Sequence, residues 1–131
     1  MMAGDSSTVL IVDDDEAIRE SLSEFLTDEG FDVKTANNGR EAIDMLAGGL
    51  RPCAILLDLM MPVMDGWDFR AEQLLSPALA DIPVALVSGF GFSAQSMRAQ
   101  FPGIELLDKP VSMPHLLDFV RRHSGESARQ S

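Results

Sequence analysis

Tyrosine is absent from this chain of 131 residues, and tryptophan and cysteine occur once each. With 7 Phe as the only other rings, a core has to be filled by aliphatic side chains and by the 8 methionines. The single cysteine, Cys53, excludes an internal disulfide and fits a reducing compartment. It opens an apolar run, so it reads as a small core residue rather than a reactive thiol. Positive charge is scarce: 10 Lys and Arg stand against 21 Asp and Glu, for a net charge of −11. That balance argues against a broad nucleic-acid-binding face and against docking on an anionic membrane. No apolar stretch reaches the roughly 18 residues of a membrane span. Residues 1–8 lack the charged and apolar regions of a signal peptide. A cytoplasmic location is the expectation. There is no internal repeat, no linker and no sign of a second domain.

What is present is a set of short apolar runs that end in polar residues. Ala54-Ile55-Leu56-Leu57-Asp58 is one, followed by a turn through Pro62 and Gly66. Thr8-Val9-Leu10-Ile11-Val12 is another, closed by Asp13-Asp14-Asp15. Unbroken apolar runs of this length suit strands buried on both faces, as in a parallel sheet. Residues 82–88 form a third run, closed by Ser88, and residues 104–107 a fourth, followed by Asp108-Lys109-Pro110. Residues 31–36 alternate apolar and polar and predict a peripheral strand.

Helical patterns separate these runs. Ile18, Leu22, Phe25 and Leu26 make one apolar face, with Asp15 as its N-cap and Gly30 as its stop. Asn38 and Glu41 have the offset of a capping box before Ala42, Ile43, Met45 and Leu46. Residues 67–75 and 94–100 predict a third and a fourth helix. Ser112 can cap a fifth, with Leu116, Leu117 and Val120 inward and Arg121, Arg122 and His123 at its C-terminal end. His115 and His123 read as surface residues. Five strands alternating with five helices predict an α/β fold, a parallel sheet with helices on both faces.

All C-terminal strand ends of a parallel sheet lie along one edge. Asp13, Asp14, Asp58, Ser88 and Lys109 can therefore converge, although nearly 100 positions separate the first from the last. Clustered carboxylates repel and coexist comfortably only with a cation among them. An all-oxygen site with few protein ligands suits Mg²⁺. Together with one Lys, such an ion makes a place for a phosphoryl group. A carboxylate beside it can act as a nucleophile and form an acyl phosphate. Ser88 can donate a hydrogen bond to a phosphoryl oxygen.

With these motifs the chain resembles the receiver domain of two-component response regulators. The matching segments are Val9 with Leu10-Ile11-Val12-Asp13-Asp14-Asp15, Leu57-Asp58-Leu59-Met60-Met61-Pro62-Val63-Met64-Asp65-Gly66, Pro83-Val84-Ala85-Leu86-Val87-Ser88-Gly89 and Asp108-Lys109-Pro110. The resemblance implies a flavodoxin-like (βα)5 three-layer sandwich with strand order 2-1-3-4-5. It implies a flexible N-terminus over residues 1–7, a receiver domain over 8–123 and a polar tail over 124–131. Asp58 is then the phosphoacceptor, supplied by a histidine kinase or histidine phosphotransfer protein. Asp14, Asp58 and the backbone carbonyl of Met60 would ligate Mg²⁺, or Mn²⁺, with Asp13 acting mainly through a metal-bound water. Ser88 and Lys109 would grip the phosphoryl group, and the Lys109–Pro110 bond is expected to be cis. The implied behaviour is that of a signalling switch or relay with an unidentified downstream protein target, as a monomer or a phosphorylation-dependent dimer.

Two departures from the family pattern stand out. The switch aromatic usually sits three residues before the Lys, where this chain has Leu106. Phe90 or Phe92, in the segment Gly89-Phe90-Gly91-Phe92, can substitute for it, the alternative being that these rings only pack locally. Met60 and Phe90 also stand where polar groups of the family can orient a hydrolytic water, which predicts slow self-dephosphorylation. Two other classes compete. One is a pseudo-receiver that binds a partner without phosphorylation. The other is an Mg²⁺ phosphatase with an aspartyl nucleophile, disfavoured because the second acid such enzymes carry two residues after the nucleophile is here Met60.

Overall fold

The computed structural model describes residues 7–89 and 93–124. Strands and helices alternate along it: β1 (Thr8–Val12), α1 (Glu16–Asp28), β2 (Asp32–Ala36), α2 (Gly39–Ala47), β3 (Ala54–Asp58), α3 (Gly66–Leu75), β4 (Val84–Ser88), α4 (Ala94–Gln100), β5 (Glu105–Asp108) and α5 (Met113–His123). All neighbouring strands pair in parallel, in the order β2-β1-β3-β4-β5. Every residue of β1, β3 and β4 is buried, which accounts for their continuous apolar sequences. The alternating segment is β2, at one edge, with Asp32, Lys34 and Thr35 exposed.

Side chains of the central strands alternate between two cores. Val9, Ile11, Leu56 and Ala85 pack with Leu22 and Leu26 of α1 and with Leu116, Phe119 and Val120 of α5. Leu10, Val12, Leu57 and Leu86 pack instead with Ala42 and Leu46 of α2, Phe69 of α3 and Met97 of α4. A helical layer thus covers each face of the sheet.

Local chemistry sets the helix ends. Asp15, Asn38, Asp65, Ser93 and Ser112 are N-caps whose side chains accept backbone N–H groups of the first turn. The Glu41 carboxylate reaches back to the N–H of Asn37, one residue earlier than an ideal capping box places it. Gly30, at φ 98°, ends α1: its N–H donates to the Thr27 carbonyl and that of Phe31 to the Leu26 carbonyl. Phe31 and Leu26 then share the same core, which completes a Schellman motif.

Three strands differ from expectation in their limits, β2 by beginning at Asp32 rather than at residue 31. β4 begins at Val84 rather than at residue 82, because Pro83 has no N–H to pair; its carbonyl accepts from Ile55 N–H at 2.9 Å. β5 is shifted by one residue and ends at Asp108, which lies opposite Ser88. One buried polar residue was not legible in advance. Gln73 of α3 is fully buried and donates Nε2 to the carbonyls of Leu79 and Ile82, at 2.9 and 3.1 Å. It ties the α3–β4 connection to the helix it leaves.

Candidate functional site

The parallel register delivers the strand-end residues to one edge. Asp58 is the last residue of β3 and Ser88 the last of β4, while Asp13 and Lys109 directly follow β1 and β5. The carboxylate oxygens of Asp13, Asp14 and Asp58 lie within 4.8 Å of one another. Lys109 Nζ stands 3.0 Å from Asp58 Oδ1. The Lys109 N–H donates to the Ser88 carbonyl at 3.2 Å, so the β4 and β5 ends are joined at the site. Asp13, Asp58 and Ser88 are buried, and Asp14 is exposed. The Lys109–Pro110 peptide is cis, as the resemblance implied.

Asp13 is held at three points. Its N–H donates to the Ala36 carbonyl at 3.1 Å, and its Oδ1 accepts from the Asp15 N–H at 2.9 Å. Its carbonyl accepts from Arg19 Nη1 at 2.7 Å. Arg19, in the first turns of α1, is half-buried because it folds back over this turn.

The charges strain one another. Burial pushes the Asp13 carboxyl up to about 6, and the charges of Asp58 and Asp14 add to the rise against the Asp15 hydrogen bond and Lys109. Burial also raises Asp58, more than its bond to Lys109 lowers it. Burial pulls Lys109 down, but the hydrogen bond and charge of Asp58, with Asp13 and Asp14, leave it above its ordinary value. One internal cation therefore does not balance three carboxylates. Their oxygen donors and surplus negative charge fit a hard divalent cation.

The loop after β3 is pinned from two sides. A Cβ on Gly66 would lie 2.9 Å from Leu59 Cα and 3.1 Å from the Asp58 carbonyl oxygen, so only glycine lets α3 start this close to the strand end. The Gly66 N–H donates to the Leu59 carbonyl and that of Gly39, at the start of α2, to the Met64 carbonyl. Between these anchors the Met64 N–H donates to the Pro62 carbonyl across Val63, which sits at φ 68°. That is a γ-turn built on a β-branched residue, an unusual choice. Met60 and Val63 expose their side chains on this loop. A cavity of about 230 Å³ lies behind the site, walled by Asp13, Ile18, Leu22, Lys109 and Pro110.

Leu106 is half-buried, paired with Leu86 and packed into the core on the α4 side. Phe90 and Phe92 lie outside the described residues. Aromatic rings reach this face from elsewhere. Trp67, in the first turn of α3, lies with its ring 6.3 Å from that of Phe101 and donates Nε1 to Gln100 Oε1 at 2.7 Å. This link from α3 to α4 was not expected, because its partners lie 33 positions apart in the chain. His115 and His123 are exposed as expected, though not isolated: His115 Nε2 is 2.8 Å from Glu105 Oε2, and His123 packs edge-on against Phe119.

Comparison with known proteins agrees with this arrangement. The family model described as "Response regulator receiver domain" matches residues 9–121. The protein named Response regulator MprA from Mycolicibacterium vanbaalenii is 37% identical over 114 residues, covering 86% of this chain and 48% of the relative. Its Mycobacterium tuberculosis namesake is 35% identical over 131 residues, covering 96% of this chain and 56% of the relative. The chain thus spans about half the length of the curated relatives it matches. Among solved structures, the signal receiver domain of a signal transduction histidine kinase from Syntrophus aciditrophicus superposes with a TM-score of 0.79 at 31% identity, covering 88% of each chain. The Vibrio cholerae chemotaxis protein CheY4 gives 0.77 at 31% identity, covering 89% of this chain and 98% of its own.

The chain belongs to the response regulator receiver domain family, and its fold is the flavodoxin-like one of that family. It is a signalling domain of the two-component kind. Among the described residues, no helix is long and apolar enough to cross a membrane.

Proposed function

We propose that the chain is a phosphoacceptor switch or relay, phosphorylated on Asp58 by a histidine kinase or histidine phosphotransfer protein. The observation that carries this reading is the Asp58 carboxylate. It is buried at a strand end, 3.0 Å from Lys109 and within 4.8 Å of two further carboxylates. An Asp58 oxygen attacks phosphorus, an O–P bond forms, and the P–N bond to the donor imidazole breaks with its electron pair returning to nitrogen. Lys109 pairs with charge on the transferring group, and the Ser88 hydroxyl donates to one of its oxygens. Asp13, Asp14, Asp58 and the Met60 carbonyl would hold Mg²⁺, which when bound neutralises the carboxylates and the charge spread over the phosphoryl oxygens. Residues 8–123 work as the receiver unit, in the cytoplasm, where the donor's phosphohistidine is made. With apolar residues two positions after Asp58 (Met60) and two after Ser88 (Phe90) in the sequence, the acyl phosphate hydrolyses slowly.

The test is incubation of the chain with Mg²⁺ and acetyl phosphate, followed by intact mass. The reading expects a gain of one phosphoryl group that is lost in Asp58→Asn and without Mg²⁺. No gain in the parent would leave a pseudo-receiver, and turnover of unrelated phosphoesters would point to a phosphatase.

A further inference from the structure

The carbonyl of Asp13 is the first on its strand to lie beyond the sheet ladder. The last β1 pairs are Val12 with Ala36 and Val12 with Leu57. A main-chain oxygen at the end of a buried strand needs a partner. Arg19 supplies it with a charge-assisted hydrogen bond of 2.7 Å. Arg19 stands one turn into α1, behind the Asp15 cap, and its own N–H donates to the Asp15 carbonyl at 3.0 Å. The guanidinium therefore closes the β1–α1 turn around Asp13 and Asp14. It acts on the backbone of that turn, whereas the charges felt most by the Asp13 carboxyl are those of Asp58, Lys109 and Asp14.

We propose that Arg19 is a positioning residue for the acidic site: by holding the Asp13 carbonyl, it fixes the Asp13–Asp14 segment in the arrangement that binds a divalent cation. This rests on the reading of the site given above. Asp14 makes the dependence acute. It is exposed, so the segment carrying it is anchored only through its neighbours, by the bonds of Asp13 on one side and the Asp15 cap on the other. Outer-shell partners of metal ligands commonly change metal affinity by about 10–100-fold when removed.

Charge and positioning predict opposite signs here. Arg19→Met keeps much of the stem but removes a positive charge from the neighbourhood of an acidic site. Coulomb attraction alone then predicts tighter Mg²⁺ binding. Positioning predicts weaker binding, because the turn that carries two of the acids is released. Arg19→Lys keeps the charge and a donor, without the fork that fixes its direction.

The experiment is calorimetric titration of the full chain with Mg²⁺ for the parent, Arg19→Met, Arg19→Lys and Arg19→Gln, with thermal melts in EDTA alongside. Expected are binding by the parent, a loss of about ten-fold in Arg19→Met, and partial recovery in Arg19→Lys. Arg19→Gln is neutral and too short to reach the carbonyl. It should weaken binding as Arg19→Met does, and it decides the question if Arg19→Met does not fold. Unchanged or tighter binding in the neutral variants overturns the inference, even if their melts in EDTA fall, because Arg19 would then be structural only. Unchanged Mg²⁺ affinity with slower phosphoryl uptake from a protein donor, but not from acetyl phosphate, also overturns it, in favour of a docking role. A parent chain that takes no Mg²⁺ overturns the reading of the site and the inference together. A parent that binds beside neutral variants that bind equally overturns the inference alone.

Discussion

The strand-end site and the α3–α4 face lie on the same sheet but are built by different means. At the site, the backbone does the placing. Asp58 and Ser88 are the last residues of fully buried strands, and Asp13 and Lys109 are tied by main-chain hydrogen bonds to Ala36 and Ser88. On the other face, side chains do it. Seven-residue α4 is joined to α3 by the Trp67–Gln100 hydrogen bond and the Trp67–Phe101 ring contact, with Met97 and Leu106 packed into the core behind them. The first construction is rigid and unforgiving of change. The second is a small set of replaceable side-chain contacts.

The largest effect should come from crowding the rigid end. Gly66→Ala drives a Cβ against Leu59 Cα and the Asp58 carbonyl, both backbone atoms with no room to give. A loss of about 3 kcal/mol is expected, read as a lower urea midpoint, together with loss of phosphoryl uptake. Wild-type stability in this variant would show that the β3–α3 loop is as adaptable as the α4 side.

A smaller effect of opposite sign is expected at Asp13. Its carboxyl, pushed up to about 6 from 3.8, binds a proton more tightly in the folded chain than in the unfolded one. In EDTA, ionising it therefore works against folding. The contribution of this group to stability rises as pH falls from 7 through 6 towards 3.8, and is lost as pH rises back through 6. Asp13→Asn removes that dependence. It should raise stability in EDTA at pH 7 by about 1–3 kcal/mol, while abolishing the further stabilisation that Mg²⁺ gives the parent. Melting curves with and without Mg²⁺ at pH 5 and 7 check both halves. An Asp13→Asn chain less stable than the parent in EDTA would mean that the acid is held by bonds stronger than its repulsion.

The smallest effect belongs to the side-chain construction. Gln100→Ala removes the acceptor of the indole N–H and should lower stability by about 0.5–1.5 kcal/mol, with a change in Trp67 emission. Phosphoryl uptake from acetyl phosphate should not change. Uptake that falls with this variant would erase the distinction between the two regions.

The same difference governs what could be read from sequence. Backbone placement leaves a pattern: an apolar run, a polar end, an N-cap such as Asp15 or Ser112, a glycine such as Gly30. The elements, their order and the converging acids were legible because strand and helix periodicities and caps are local signals. Side-chain reach leaves none. Gln73 is an ordinary helix residue until the α3–β4 connection folds over it. Arg19 carries no local signal of its role, because its partner is a main-chain oxygen across a turn. Leu106 announced a missing ring, but nothing local in the sequence indicated that Trp67 and Phe101 bring rings to that face.

The central claim is that Asp58 carries the phosphoryl group. Borohydride reduction of the chain after treatment with Mg²⁺ and acetyl phosphate converts an aspartyl phosphate to homoserine, which peptide mapping locates. The account predicts homoserine at position 58 and at no other acid, including the neighbouring Asp13 and Asp14. Homoserine at another acid, or none despite Mg²⁺ binding, would contradict it.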